Sequence, residues 1–196
     1  MRAVMPTVPP DVLAWRHRTG GDRYDEIWNG ELHMAPTPNR DHQELAGHTW
    51  NWLREHWAEP GGGRAFPPRN VAPLGGWPHD YRIPDVVLLT PDRFEQDRND
   101  YIEGAPSVVV EVRSAGDETY QKLPFYAALG VPEVWIVDRD SKQPQVHVLR
   151  EGDYMLQPAD RDGWTHSPAT DVRLRPEDGR LAMQRGDDAN TKRLLP

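Results

Sequence analysis

The segment from Ser107 to Ser114 constrains the fold of this chain more than any other. Its sequence, SVVVEVRS, places four valines around a single carboxylate, Glu111. A short, continuous run of β-branched residues is typical of a buried strand. A carboxylate in such a strand is costly unless a cation, a hydrogen-bond network or a metal ion compensates its charge. A second acid, Asp85, lies in the apolar run IPDVVLL, and these two carboxylates are the first candidates for a functional site.

The length of 196 residues predicts one domain with decorated ends. We expect an N-terminal arm over 1–20, the domain itself over 21–185 and a loosely attached C-terminal tail over 186–196. The chain has no cysteine, which excludes disulfides, thiolate catalysis and cysteine-ligated zinc.

The net charge of −8 has the wrong sign for a protein that binds nucleic acid through its overall charge. Any such function must depend on a local basic patch or on metal ions. The N-terminus is broken by prolines and does not resemble a signal peptide. No segment reaches the roughly 18 apolar residues of a membrane span, so we expect a soluble, cytoplasmic protein without membrane contacts.

The first 60 residues predict a short helix in the arm, then a β-hairpin and a longer helix. Asn29-Gly30 separates two alternating segments, which is a strong signal for a β-hairpin. A helix is predicted from Asp41 to Trp57, with Asp41 as the cap and Glu44 in a capping-box position. Apolar residues recur at helical spacing along it and predict one buried face, formed by Ala46, Trp50, Leu53 and Trp57.

The remaining pattern predicts a mixed sheet. Strand 107–114, a helix over 119–129 and strand 133–138 have the spacing of a parallel β-α-β crossover. Pro124 must lie in the first turn of that helix or kink it. Further strands are expected at 65–71, 81–89, 145–150, 154–157 and near Trp164. The predicted fold is therefore α/β, a mixed sheet flanked by helices, with an N-terminal hairpin.

If the strands that carry Asp85 and Glu111 are neighbours, both carboxylates can project from one end of the sheet. Two carboxylates, a backbone carbonyl such as that of Val112, and waters suit Mg²⁺ or Mn²⁺. Such an ion can activate a water molecule and stabilise charge on a phosphate. A nearby cation would complete a hydrolytic site, and both Lys122 and Arg113 are candidates.

The predicted first helix offers Glu44 as a further metal ligand, although the capping box explains this residue equally well. His42 can contact a phosphate. The spacing of Glu44 and His48 suits a metal, but the pattern is not HExxH, so a zinc protease is disfavoured. The sequence contains no glycine-rich phosphate loop of the P-loop or Rossmann kind, and no serine in a nucleophile elbow.

Pro84-Asp85 followed by Glu111-x-Arg113 resembles the PD-(D/E)xK signature of restriction-endonuclease-like nucleases. More closely, an ordered set of segments resembles a bacterial endonuclease family of that superfamily, formerly a domain of unknown function. These segments span about residues 20–150: Gly30-Glu31-Leu32 with Met34 and Pro36, His42-Gln43, Arg82-x-Pro84-Asp85, the segment 110–114, Lys122 with Tyr126, and GVPEVWIVD at 130–138.

The resemblance implies a restriction-endonuclease-like fold and a metal held by Asp85 and Glu111. It also implies that the catalytic lysine has moved to the following helix, as Lys122. Arg113 stands where the usual lysine would be, and a guanidinium is a poor base because it stays protonated. Basic and polar residues near the site, namely His42, Arg82 and Ser114, are the expected substrate contacts.

Two functions follow from these features. The first is a Mg²⁺- or Mn²⁺-dependent endonuclease that hydrolyses phosphodiester bonds of DNA. The second is a catalytically silent scaffold of the same fold that acts in binding or assembly, which Arg113 and the acidic charge favour. The eight tryptophans and the exposed hairpins make a homodimer plausible in either case.

Overall fold

The computed structural model describes residues 3–5, 9–35 and 37–196 of the chain. Its strands in the first half are β1 (Ala3–Met5), β2 (Glu26–Trp28), β3 (Glu31–Met34), β4 (Arg64–Phe66), β5 (Asn70–Ala72), β6 (Val86–Leu89) and β7 (Tyr101–Glu103). Those in the second half are β8 (Val108–Arg113), β9 (Glu133–Asp138), β10 (Pro144–Arg150), β11 (Asp153–Leu156), β12 (Thr165–Ser167), β13 (Val172–Glu177), β14 (Arg180–Arg185) and β15 (Asp188–Leu195). The α-helices are α1 (Pro10–Thr19), α2 (Arg40–Leu53), α3 (Glu59–Gly61) and α4 (Leu123–Leu129).

The centre of the fold is a six-stranded mixed sheet in the order β11-β10-β9-β8-β6-β4. Strands β8 and β9 are parallel and are joined by α4, as the spacing predicted, while the other pairs in this sheet are antiparallel. The prediction of an α/β fold with a mixed sheet flanked by helices is confirmed. None of the helices in the described ranges is long and apolar enough to cross a membrane.

Alternation along β8 divides the core into two layers. Val108, Val110 and Val112 pack with α2 and with a C-terminal four-stranded sheet of β12, β13, β14 and β15. Val109 points the other way and packs with Tyr126 of α4. Because side chains alternate along a strand, Glu111 lies on the same side as Val109 and faces α4. This orientation brings its carboxylate to the residues of the crossover.

The structure has the backbone features that the hairpin and crossover sequences predict. Asn29 and Gly30 have φ angles of 49° and 85°, the positive values that a type I′ turn requires. The crossover begins with a 3₁₀ turn over Thr119–Lys122, and Pro124 lies in the first turn of α4, so it breaks no helix. Gly130, with a φ of 82°, ends α4 in the left-handed conformation.

Helix α2 differs from its prediction at both ends. Its cap is Asn39, whose side chain accepts the backbone N–H of His42, so the prediction of Asp41 as the cap was wrong. The α-helix ends at Leu53 and continues as a π-helical turn over Arg54–Ala58. The buried face is as predicted for Ala46, Leu53 and Trp57, with Trp50 only partly buried.

Two predicted strands are shorter in the structure. The segment 65–71 divides into β4 and β5, because Pro67-Pro68 lies between them and proline cannot donate to a ladder. The segment 81–89 is a regular strand only over Val86–Leu89. Pro84 stands before that strand, and Asp85 therefore lies immediately before the start of β6 instead of within a strand.

The expectation of a loosely attached tail was wrong. Strand β15 pairs with β14 along Leu181↔Leu195 to Met183↔Arg193 and adds a fourth strand to the C-terminal sheet. Leu195 is buried, and the indole Nε1 of Trp52 in α2 donates to the carbonyl of Thr191 at 2.9 Å. The end of the chain is thus part of the layer that covers α2.

Candidate active site

A cleft of about 340 Å³ opens at the carboxyl ends of β8 and β9. Its walls come from the β2–β3 hairpin, the start of α2, the loop after β8 and the 3₁₀ turn before α4. The acids that line it include Glu26, Asp85 and Glu111, and Lys122 lies among them. The carboxyl ends of parallel strands are the usual place for a ligand in open α/β sheets.

Asp85 is held by two contacts immediately before the start of β6. Its Oδ2 accepts the backbone N–H of Val112 at 2.7 Å, and its Oδ1 lies 2.9 Å from Nε2 of His42. The pairing of β6 with β8 begins at Val86, opposite Val110, so no residue of β6 pairs with Val112. The Asp85 carboxylate accepts the N–H of Val112 in place of a strand partner. This bond fixes Asp85 beside the residue that follows Glu111.

Glu111 is 3% exposed and is bound by both side chains that the crossover supplies. Its Oε1 accepts the phenol O–H of Tyr126 at 2.6 Å, and its Oε2 accepts from Nζ of Lys122 at 3.1 Å. The structure therefore brings Asp85, Glu111 and Lys122 together in one cleft. Lys122 points into the cleft because the turn before α4 orients it there.

A third carboxylate, Glu26 of β2, was not predicted. It is 5% exposed, and its Oε1 lies 2.8 Å from Nζ of Lys122. The same oxygen accepts the backbone N–H of Ile83 at 2.7 Å, and Oε2 accepts the indole N–H of Trp28 at 2.7 Å. The one signal in the sequence was period two, which places Glu26 on the same face as Trp28. A solvent-facing acid in a short hairpin has the same two-residue spacing, so this pattern does not distinguish a buried Glu26 from an exposed one.

Burial and the neighbouring charges shift the pKa values of Glu111 and Lys122. Burial raises the pKa of the Glu111 carboxyl to about 8; the charge of Lys122 opposes this rise, and repulsion from Asp85 and Glu26 adds to it. Burial alone would lower the pKa of Lys122, but Glu111 and Glu26 outweigh it, so the pKa of Lys122 is raised and the ammonium stays charged. Glu111 therefore holds its proton into the neutral range, while Lys122 keeps its positive charge.

His42 lies at the entrance to this cluster. Burial acts to lower the pKa of its imidazole, but the hydrogen bond and charge of Asp85 outweigh that effect and raise it. Its Nδ1 lies 3.5 Å from Oγ of Ser114, which also lines the cleft. His42 and Ser114 are thus both accessible from the cleft, where the sequence placed substrate contacts.

The structure does not bring Arg113, Arg82 or Glu44 into the cleft. Arg113 pairs across the strands with Asp138 at 2.7 Å. Arg82 is 3% exposed and stacks between the rings of Trp28 and Phe125. The sequence pattern could not reveal these partners, because each of them lies in an element other than that of its arginine.

Glu44 lies on the outer side of α2. Its carboxylate is half-exposed and pairs loosely with Arg40 at 3.9 Å, one turn back along the helix. Because the true cap is Asn39, the first turn of α2 does not use Glu44 either. The metal-ligand prediction for Glu44 therefore has no geometric support, since its side chain does not line the cleft.

The donor set of the cleft suits a hard divalent cation. Carboxylate oxygens are the ligands that Mg²⁺ and Mn²⁺ prefer, and Mg²⁺ commonly takes only one or two of them and keeps its waters. Asp85 and Glu111 both line the cleft and can supply that number. Among the described residues, no group of three or more histidines and acids is arranged to hold a metal ion. The residues fit an ion bound by two carboxylates and water.

Comparison with known proteins places the chain in a family and shows which fold it shares. The model of the family described as "Uma2: Putative restriction endonuclease" matches residues 9–180. A solved structure described as a putative nuclease belonging to DUF820, from Anabaena variabilis, is similar at 16% identity with a TM-score of 0.59. The match covers 74% of this chain and 82% of that one, and shows the same restriction-endonuclease-like fold. Among curated proteins, none matches this sequence.

Proposed function

The chain belongs to the Uma2 family, and from this premise we propose that it is a divalent-metal-dependent nuclease that hydrolyses phosphodiester bonds of DNA. The observation that carries the proposal is the convergence of Asp85, Glu111 and Lys122 in one cleft. Asp85 and Glu111 would hold Mg²⁺ or Mn²⁺, with the backbone carbonyl of Val112 as a further candidate ligand. When bound, the ion would supply an activated water and stabilise charge on the phosphate.

The other residues of the cleft orient the reacting groups. Tyr126 fixes one oxygen of Glu111, and the backbone N–H of Val112 fixes one oxygen of Asp85. Lys122 is a cation whose position is set by Glu26 and Glu111, so it can stabilise negative charge that develops on the phosphate. His42 lies beside Asp85 at the entrance, where it can donate to a phosphate oxygen.

The test is cleavage of DNA by the purified protein with Mn²⁺. Asp85→Asn and Glu111→Gln are expected to abolish cleavage, because each removes a charge that the metal requires. Glu44→Gln is the matched control: it removes a carboxylate outside the cleft and is expected to leave the rate unchanged. Cleavage that survives Glu111→Gln would overturn the assignment.

Metal binding has a readout that does not depend on turnover. A ligand that binds only the folded state raises stability by about 2.7 kcal/mol at 100 times its dissociation constant. Mn²⁺ is therefore expected to raise the melting temperature of the wild type and of Glu44→Gln, and to have little effect on Asp85→Asn. An equal shift in Asp85→Asn would place the ion elsewhere.

One observation favours the second function, a catalytically silent scaffold. Lys122 already neutralises part of the charge on Glu111 and Glu26, at 3.1 Å and 2.8 Å. A scaffold of this kind is expected to show no shift with Mn²⁺ and no cleavage, and to form a stable homodimer in solution. The same melting and cleavage measurements, with sedimentation, separate the two functions.

A further inference from the structure

Arg139 lies at the mouth of the cleft, directly after the carboxyl end of β9. Its backbone N–H donates to the carbonyl of Arg113 at 2.9 Å, which continues the parallel ladder between β8 and β9 by one residue. This bond places Arg139 beside Ser114, the first residue after β8. The Nη1 of Arg139 is 3.4 Å from Oγ of Ser114, and both residues line the cleft.

The other cations that line the cleft are matched by acids of the cleft itself. Lys122 is bound by Glu26 and Glu111, and His42 by Asp85. In the same way, Nδ1 of His33 lies 3.4 Å from Glu118. These pairs cancel charge inside the cleft and leave little to attract a phosphate from solution.

Arg139 is bound differently. Its carboxylate partner is Asp140, which does not line the cleft and whose side chain is 64% exposed. The Nε and Nη2 atoms engage Asp140 at 2.8 Å and 3.0 Å, so Nη1 is the part of the guanidinium that turns towards Ser114. Because Asp140 engages Nε and Nη2, an anion beside Ser114 can accept a hydrogen bond from Nη1 while the pair with Asp140 stays in place.

We propose that Arg139, together with the hydroxyl of Ser114, binds a phosphate of the nucleic-acid backbone at the entrance to the cleft. A guanidinium presents several N–H donors in one plane, which suits the oxygens of a phosphate. This contact holds the strand so that a neighbouring phosphate can reach Glu111 and Lys122. The inference rests on the proposed function and names a substrate contact for it.

The motif in the sequence points to Arg113 as the arginine of the site, whereas the structure places Arg139 at the cleft. Arg113 belongs to the ExR motif, but its guanidinium is held by Asp138 at 2.7 Å. Asp138 immediately precedes Arg139 and pairs in register with Arg113. Asp138 thus holds Arg113 away from the cleft, and Arg139, the residue after Asp138, lines it.

The experiment measures binding of a fluorescent single-stranded DNA oligonucleotide by anisotropy, in EDTA, over a series of KCl concentrations. One phosphate contact contributes about 0.7 to the slope of log Kobs against log[KCl] for a single strand. Arg139→Ala is expected to reduce the slope by about that amount and to weaken binding. Arg150→Ala is the matched control, because Arg150 is exposed at the opposite end of the sheet, and it is expected to keep the slope.

Arg139→Lys is expected to keep the slope and to bind less tightly, because it retains the charge and loses the planar set of donors. An unchanged slope and affinity in Arg139→Ala would overturn the inference, as would equal losses in Arg139→Ala and Arg150→Ala. The cleavage assay reports separately on the proposed function. Binding that depends on Arg139 without any cleavage supports the phosphate contact and contradicts the nuclease.

Discussion

The Nζ atom of Lys122 lies 2.8 Å from Oε1 of Glu26, so a carboxylate of the N-terminal hairpin holds the lysine of the candidate site. The two residues are far apart in the chain and meet because β2 packs beside the turn that precedes α4. Glu26 also binds the backbone of Ile83, two residues before Asp85. One side chain therefore connects the hairpin to both parts of the site.

Glu26→Gln is expected to reduce the rate of DNA cleavage about 10- to 100-fold, the usual cost of losing a residue that orients a metal site. The amide keeps the size of the side chain but removes the charge that positions Lys122. The measurement is kcat with Mn²⁺ at saturating DNA. Glu31→Gln in the adjacent strand is the control, since Glu31 is exposed and its loss is expected to leave kcat unchanged.

A wild-type kcat in Glu26→Gln would show that Lys122 does not need this partner. A loss of folding would be seen as a change in the urea midpoint, which is measured in parallel. The expected pattern is a lowered kcat with a largely retained midpoint and a retained affinity for the oligonucleotide.

Tyr126→Phe is expected to destabilise the protein, and more so at alkaline pH. The phenol donates to Glu111 at 2.6 Å and lowers the pKa of that carboxyl, so its loss raises this pKa further. Because burial already raises the pKa of Glu111 from 4.5 to about 8, the folded state keeps a proton that the unfolded state has lost. Stability contributed by this group therefore falls as the pH rises through that window.

The expected cost of Tyr126→Phe is about 1.5–3 kcal/mol above about pH 8, where the lost bond is to a charged acceptor, and less near about pH 5. Urea unfolding at the two pH values measures it. Tyr154→Phe is the matched control, because its phenol donates to the neutral carbonyl of Val131 at 2.8 Å. Its cost is expected to be about 0.5–1.5 kcal/mol at both pH values. Equal pH dependence in the two variants would contradict the role of Tyr126.

Leu195→Ala is expected to destabilise the protein by about 2–5 kcal/mol, the cost of removing a buried leucine side chain. Leu195 is 6% exposed and belongs to the same apolar cluster as Trp52 and Leu181. Leu156→Ala, at a position that is 55% exposed on β11, is expected to change stability by less than about 0.5 kcal/mol. If urea unfolding gave the two variants the same midpoint, the last residues would be the loose tail that the sequence suggested.

Much of the central sheet could be predicted from the sequence. Val108, Val109 and Val110 predict a buried strand by composition alone, and Gly130 and Pro124 mark the ends of α4 by their backbone constraints. The Asn29-Gly30 turn is equally local. These predictions succeeded because each depends on residues that are neighbours in the chain.

The residues that line the cleft could be identified from the sequence where motif and burial coincide, and were missed where the partner is distant. Asp85, Glu111 and Lys122 were identified because two acids in apolar runs are costly and because their order resembles a known motif. Arg113 was a candidate for the site because it stands at the lysine place of the motif, two residues after Glu111. Its actual partner, Asp138, lies on the neighbouring strand and could not be identified from that motif.

The sequence by itself determined that a carboxylate would be buried at Glu111, because a strand made of valines leaves no route to solvent. Only the tertiary structure decided what compensates it. Tyr126 and Lys122 arrive from α4 and its preceding turn, and Glu26 from a hairpin whose pattern is equally compatible with an exposed acid. The physical reason is that the cost of a buried charge is local, whereas its compensation depends on which distant elements pack against it.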